Sequence, residues 1–187
     1  YGPEGSVVYG KYLLALLVIR VFILFSKLGT DITLLRFVSS FSVNANQHKI
    51  YNLYKKTLLI VLPVSLLMSS IMFSYCNQIA DLIGADTIHV KILSFVLTPA
   101  VIFYLNIQGF RGLKKILLYS FFYEFAISFF TLLFLVFAFI FLKDNFINYT
   151  EMPVLGYASV LFLLFVSTFF LWFKYLSKFT IKSSINS

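Results

Sequence analysis

Apolar residues in this chain gather into five long runs, and the polar residues collect in the gaps between them. The runs are Val7 to Phe25, Thr57 to Tyr75, Ile88 to Phe110, Ile116 to Leu142 and Pro153 to Tyr175. At ~1.5 Å per helical residue, each is long enough to cross a hydrocarbon core of ~30 Å. The pattern therefore predicts an all-α, polytopic membrane bundle with about five transmembrane helices. Pro63 falls inside the second run, where a kink is tolerated if neighbouring helices satisfy the freed carbonyl.

The gaps orient the bundle. The polar island Gly29 to Lys56 carries Arg36, Lys49, Lys55 and Lys56, with Lys27 just before it. The turn after the third run carries Arg111, Lys114 and Lys115, and the end of the fifth carries Lys174, Lys178 and Lys182. In contrast, the connection Cys76 to Asp86 has Asp81 and Asp86 with no Lys or Arg, and Lys143 to Met152 has Asp144 and Glu151 against one Lys. Short basic loops resist translocation. Loop 29–56 is accordingly expected on the cytoplasmic side, with Lys11, Lys91 and Lys143 at the outer end and Arg20 within the first span.

Composition supports the same class. The chain is 60% hydrophobic, 20% aromatic and only 12% charged, against about 25% charged in soluble domains. The net charge of +8 would point to nucleic acid in a soluble protein; here lipid headgroups and membrane orientation account for it, and no nucleic-acid partner is expected. A single cysteine, Cys76, excludes an internal disulfide, and His48 and His89 are far apart, so no metal site or cofactor is expected. No phosphate-cradling loop, nucleophile elbow or acidic cluster points to an enzyme. The sequon Asn148, Tyr149, Thr150 reads as an uninvolved polar loop. Lacking an initiator Met and beginning in what reads as a loop, the chain is expected to be a fragment.

Candidate chemistry lies where ionisable residues enter the spans, since each costs roughly 2.5 to 3.5 kcal/mol near the bilayer centre without compensation. Arg20 is seven residues before Lys27 and Glu124 nine after Lys115, placing them ~10 and ~13 Å above the inner boundary. Matched depth makes them either a buried structural ion pair or cavity residues. Ser120, Glu124, Ser128 and Thr131 recur at steps of four, four and three, which predicts one polar stripe on an α-helix. Weaker stripes run through Ser65 and Ser69 and through Lys91, Ser94, Thr98 and Asn106; small hydroxyl residues at such spacing also serve simple helix packing.

Two segments carry a family resemblance. Gly2, Pro3, Glu4, Gly5, Tyr9 and Gly10, then an apolar helix, then Leu28, Gly29 and Leu34, Leu35, Arg36, Phe37, Val38, resemble the polysaccharide flippases of the multidrug/oligosaccharidyl-lipid/polysaccharide superfamily. Gly109, Phe110, Arg111, Gly112, Leu113 and Lys114 look like that family's turn between its fourth and fifth helices. The resemblance implies that residues 1–187 are most of an amino-terminal half, helices 2 to 6 of a 12 to 14 helix transporter whose carboxy-terminal half is missing. It implies a bacterial cytoplasmic (inner) membrane location and transport of lipid-linked oligosaccharide for O-antigen, lipopolysaccharide or related polysaccharide biosynthesis. Other polysaccharide assembly proteins are implied as partners.

The matched family positions are Gly29, Arg36, Gly109, Arg111 and Gly112. Related members line the cavity with basic residues suited to a diphosphate, which makes Arg36 a candidate by resemblance and Arg20 and Lys91 candidates by burial. Arg would grip phosphate oxygens bidentately, whereas Lys would act as a point charge. Two other readings compete: a cation-coupled multidrug exporter of the same superfamily, in which Glu124 holds the ion, and a membrane-embedded glycan polymerase or glycosyltransferase. The short outer loops disfavour the enzyme.

Overall fold

The computed structural model describes residues 3–43, 47–141 and 151–185. Among the described residues the chain is helical throughout, with no strand. The helices are α1 (Pro3–Lys27), α2 (Thr30–Val43), α3 (Gln47–Ser74), α4 (Cys76–Ile83), α5 (Thr87–Gly112) and α6 (Ile116–Ser120). A π-helical turn, Phe121–Ala126, then leads into α7 (Ile127–Phe141), and α8 (Met152–Ile185) closes the bundle.

Five helical stretches are long and apolar enough to cross a membrane: 6–27, 48–74, 87–112, 116–138 and 152–175. They coincide with the five apolar runs, and the protein is a multi-pass membrane protein in architecture. Large apolar side chains such as Leu24, Leu59, Leu67, Leu132 and Phe170 are well exposed on its flanks. In water such a surface would aggregate; in a bilayer it meets lipid tails.

The bundle is built around α5. More than half of its span (56%) is buried, against 22% for the span in α3 and 17% for residues 116–138. It packs against α1, α2, α3 and α8, and its fully buried residues Leu93, Leu97, Val101, Phe103, Leu105, Ile107 and Phe110 form the core. Glycines let its neighbours approach. A Cβ on Gly109 would lie 2.6 Å from the indole of Trp172 in α8, and one on Gly112 would lie 2.9 Å from Val38 in α2. Between membrane helices the hydrophobic effect supplies little, so close packing at small residues carries the association.

Two expectations about the gaps change. The island 29–56 is not a loop: α2 occupies its first half and α3 begins at Gln47, about three turns before the apolar run at Thr57. Leu34 and Val38, one turn apart, are fully buried while Arg36 and Phe37 are exposed, so α2 is an amphipathic helix laid on the C-terminal end of α5. The connection 76–86 likewise contains α4, ended by Gly84 in the left-handed region at φ 71° with Ala85 N–H donating to the Ala80 carbonyl. That is the glycine-terminated stop expected of a helix. Most of the loop Lys143 to Met152, with its sequon, lies outside the described residues.

The charges sort between the two ends. Lys11, in the third turn of α1, pairs at 2.8 Å with Asp86, which immediately precedes α5. At the other end Lys115, just after α5, lies 5.6 Å from the Tyr175 ring of α8, and Gly112 at the end of α5 abuts Val38 of α2.

Candidate functional site

The described residues include an open polar groove of about 450 Å³ lined by Arg20, Ile23, Leu24, Lys27, Asp31, Tyr104, Gln108 and Tyr123, with Arg20 and Tyr123 exposed in it. Three elements build it. On α1, Arg20 and Lys27 are seven residues apart, two turns, and share one face. On α5, Tyr104 and Gln108 are one turn apart. The π-helical turn supplies Tyr123.

Within the groove the charges are arranged unevenly. Lys27 Nζ donates to Asp31 Oδ2 at 3.2 Å and lies 5.2 Å from the Tyr104 ring centroid. The sharp α1–α2 turn makes that pairing possible: Leu28 and Gly29 have φ of 48° and 72°, and Thr30 Oγ1 donates to the Lys27 carbonyl. Arg20, ~10 Å deeper on α1, has no carboxylate partner among the described residues. The recess thus offers an unpaired guanidinium, a lysine already held by an aspartate, and tyrosine and glutamine hydrogen-bonding groups at membrane depth.

The sequence-predicted residues fare differently. Arg20 lies in the groove. Arg36 is exposed on the outer side of α2, and Lys91 is at the opposite end of the bundle, 5.5 Å from the Phe73 ring; the structure does not gather them with Arg20. Glu124 is exposed and makes no ion pair with Arg20, so the matched-depth pair does not form. Nor does the stripe turn inward as one face: Ser120, Glu124 and Ser128 are exposed, while Thr131 is half-buried with its hydroxyl oxygen enclosed. A π-helical turn, Phe121–Ala126, also runs through the stripe. Its i→i+5 bonding spends an extra residue per turn, shifting side chains after it by roughly 100° relative to an α-helix.

The small hydroxyl residues bond mostly within their own helices, and Ser69 reaches across to another. Ser65 Oγ donates to the Leu62 carbonyl and Ser94 Oγ to the Lys91 carbonyl, while Ser69 Oγ donates across to the Ser94 carbonyl at 2.7 Å. Asn106 is buried and accepts a hydrogen bond from Tyr54. Of the glycine and arginine positions singled out in the sequence, Gly29 makes the left-handed turn, Gly109 and Gly112 make helix contacts, and Arg111 is exposed beside Tyr119. Among the described residues no cluster of His, Cys, Asp and Glu could hold a metal ion.

The sequence reading missed Lys27, Asp31, Tyr104, Gln108 and Tyr123 as groove residues. The available signals were the seven-residue step from Arg20 to Lys27 and the four-residue step from Tyr104 to Gln108. Compared with known protein families, curated proteins and solved structures, the chain matches none.

Proposed function

We propose that this protein is part of a membrane transporter that moves polyprenyl-diphosphate-linked oligosaccharide units across a bacterial cytoplasmic membrane for surface polysaccharide synthesis. The observation that carries the reading is Arg20: a cation without an ion-pair partner among the described residues, in a polar groove ~10 Å inside the membrane boundary. A charge at that depth is costly, and intramembrane cations of this kind face water-filled cavities or ligands. A diphosphate would compensate it with charge-assisted, bidentate hydrogen bonds. The resemblance of the Gly2–Gly5 and Gly109–Lys114 segments to polysaccharide flippases supplies the cargo class. The open side of the groove would close on a second helical half, the two rocking about the substrate in alternating access.

The exporter reading needs an acid free to hold a cation in the recess. The groove's acid, Asp31, is taken by Lys27, and Glu124 is not among the groove-lining residues. The polymerase reading is separated by depletion of the protein in cells that display a surface glycan. Loss of a flippase leaves lipid-linked repeat units accumulating on the cytoplasmic leaflet and no glycan outside. Single repeat units displayed normally at the surface would contradict transport and indicate a polymerase.

In this reading the end bearing Arg36, Arg111, Lys114 and Lys115 faces the cytoplasm, as basic segments do. Cys76, the only thiol, is then at the outer end and partly exposed. A membrane-impermeant maleimide added to intact cells should label it. Labelling confined to inverted vesicles would reverse the orientation.

A further inference from the structure

The groove is linked to the basic end of the bundle by a ladder of tyrosines with a cation at each extremity. Arg111, in the last turn of α5, has its guanidinium carbon 5.1 Å from the Tyr119 ring. Tyr119 stacks on Tyr123 with centroids 5.3 Å apart and planes 11° apart. Tyr123 meets Tyr104 edge-on at 6.4 Å, and Tyr104 lies under Lys27. Tyr123, Tyr104 and Lys27 line the groove, whereas Arg111, Lys114 and Lys115 lie exposed at its basic end.

The α5–α6 turn concentrates charge in a way that helix termination does not require. Lys115 N–H donates to the Phe110 carbonyl and Lys114 N–H to the Arg111 carbonyl, both at 3.0 Å, the paired bonds of a Schellman stop. The left-handed position, usually glycine, is Lys114 at φ 58°. Among the described residues none of these three cations is in an ion pair. Arg111 and Lys115 are instead steadied by Tyr119 and Tyr175, contacts that hold a cation without neutralising it.

We propose that the Arg111–Lys114–Lys115 turn is a capture site for a lipid-borne diphosphate, and that the Tyr119–Tyr123–Tyr104 ladder leads it into the groove at Lys27 and Arg20. The inference rests on the transport reading for its cargo but assigns a separate site on the bundle surface. The turn supplies three positive charges at the depth of lipid headgroups. The ladder supplies hydroxyl groups and ring faces along a step of ~10 Å, the helical distance from Arg111 back to Tyr104, so a headgroup moves from one cation to the next without crossing bare hydrocarbon.

The test uses the purified full chain in phosphatidylcholine nanodiscs, with a photo-crosslinking residue replacing the exposed Leu117 beside the turn and a tagged polyprenyl diphosphate as probe. The probe should crosslink, and R111Q/K115Q should weaken capture by tenfold or more with the protein's melting unchanged. Unlabelled polyprenyl diphosphate should compete far better than phosphatidylglycerol at equal mole fraction. Capture unaffected by R111Q/K115Q overturns the proposal, as does equal competition by phosphatidylglycerol, which marks an ordinary anionic-lipid contact. Loss of the crosslink in R20Q to the same degree would mean that the probe is held in the groove and not at a separate site, and also overturns the proposal, whereas the groove reading itself is tested separately by translocation in R20Q.

Discussion

Adding a single methyl group at Gly109 is expected to destabilise the bundle strongly. The new Cβ would sit 2.6 and 2.7 Å from Trp172 ring carbons, closer than carbon atoms approach, and the ring has nowhere to go. Trp172 is fully buried, with Tyr54 at 5.1 Å on one side and Phe110 at 5.5 Å on another. Overpacking of a filled core costs about 1 to 3 kcal/mol, and a rigid indole walled by two rings puts G109A at the upper end. A larger residue, as in G109L, should prevent assembly.

The same geometry predicts a rescue. W172L alone leaves a void and costs stability, but in the G109A background the smaller side chain makes room for the methyl. The double variant should be more stable than the sum of the two single losses predicts, with a coupling of roughly 1 to 3 kcal/mol. Circular dichroism melts of the detergent-solubilised variants measure it. Strict additivity would mean that Gly109 and Trp172 are not in contact.

This contact shows what the sequence does and does not disclose. The five spans were legible because a 20-residue apolar run in a basic, charge-poor chain has one economical solution, a helix across a bilayer. The centrality of α5 was not legible, because all five runs are similarly apolar and burial depends on which helix neighbours which. Gly109 and Gly112 stood out as a turn motif, whereas in the structure they are the last-turn positions where α8 and α2 approach α5. The helix in 30–43 was hidden by its polar composition, although Leu34 and Val38 carry the one-turn spacing of a buried face.

The site was legible in its depth and not in its membership. Arg20 was found because an arginine inside an apolar run is anomalous whatever the fold. Its neighbours were not, since Tyr104, Gln108 and Tyr123 come from helices whose mutual rotation is set by packing. Glu124 lies on a stretch whose true periodicity the sequence does not reveal. Steps of four, four and three describe an α-helix, and the π-helical turn at Phe121–Ala126 alters the rotation just where the stripe was counted.

The second large effect is expected at Arg20. If its guanidinium grips the diphosphate in the groove, R20Q removes one partner of a charge-assisted pair and costs about 2 to 5 kcal/mol of binding, at least about 30-fold at 1.4 kcal/mol per decade. R20K keeps the charge but loses the planar fork, so it should fall between wild type and R20Q. A merely structural Arg20 would instead lower the protein's level in the membrane. The absence of an Arg20–Glu124 ion pair adds a control: E124Q should leave transport near wild type.

The most direct measurement is translocation of a tagged polyprenyl-diphosphate oligosaccharide in vesicles containing the full-length transporter, normalised to protein inserted. Transport reduced at least 30-fold in R20Q, intermediate in R20K and unchanged in E124Q, all at equal abundance, is the predicted result. Wild-type translocation by R20Q at equal abundance would contradict it.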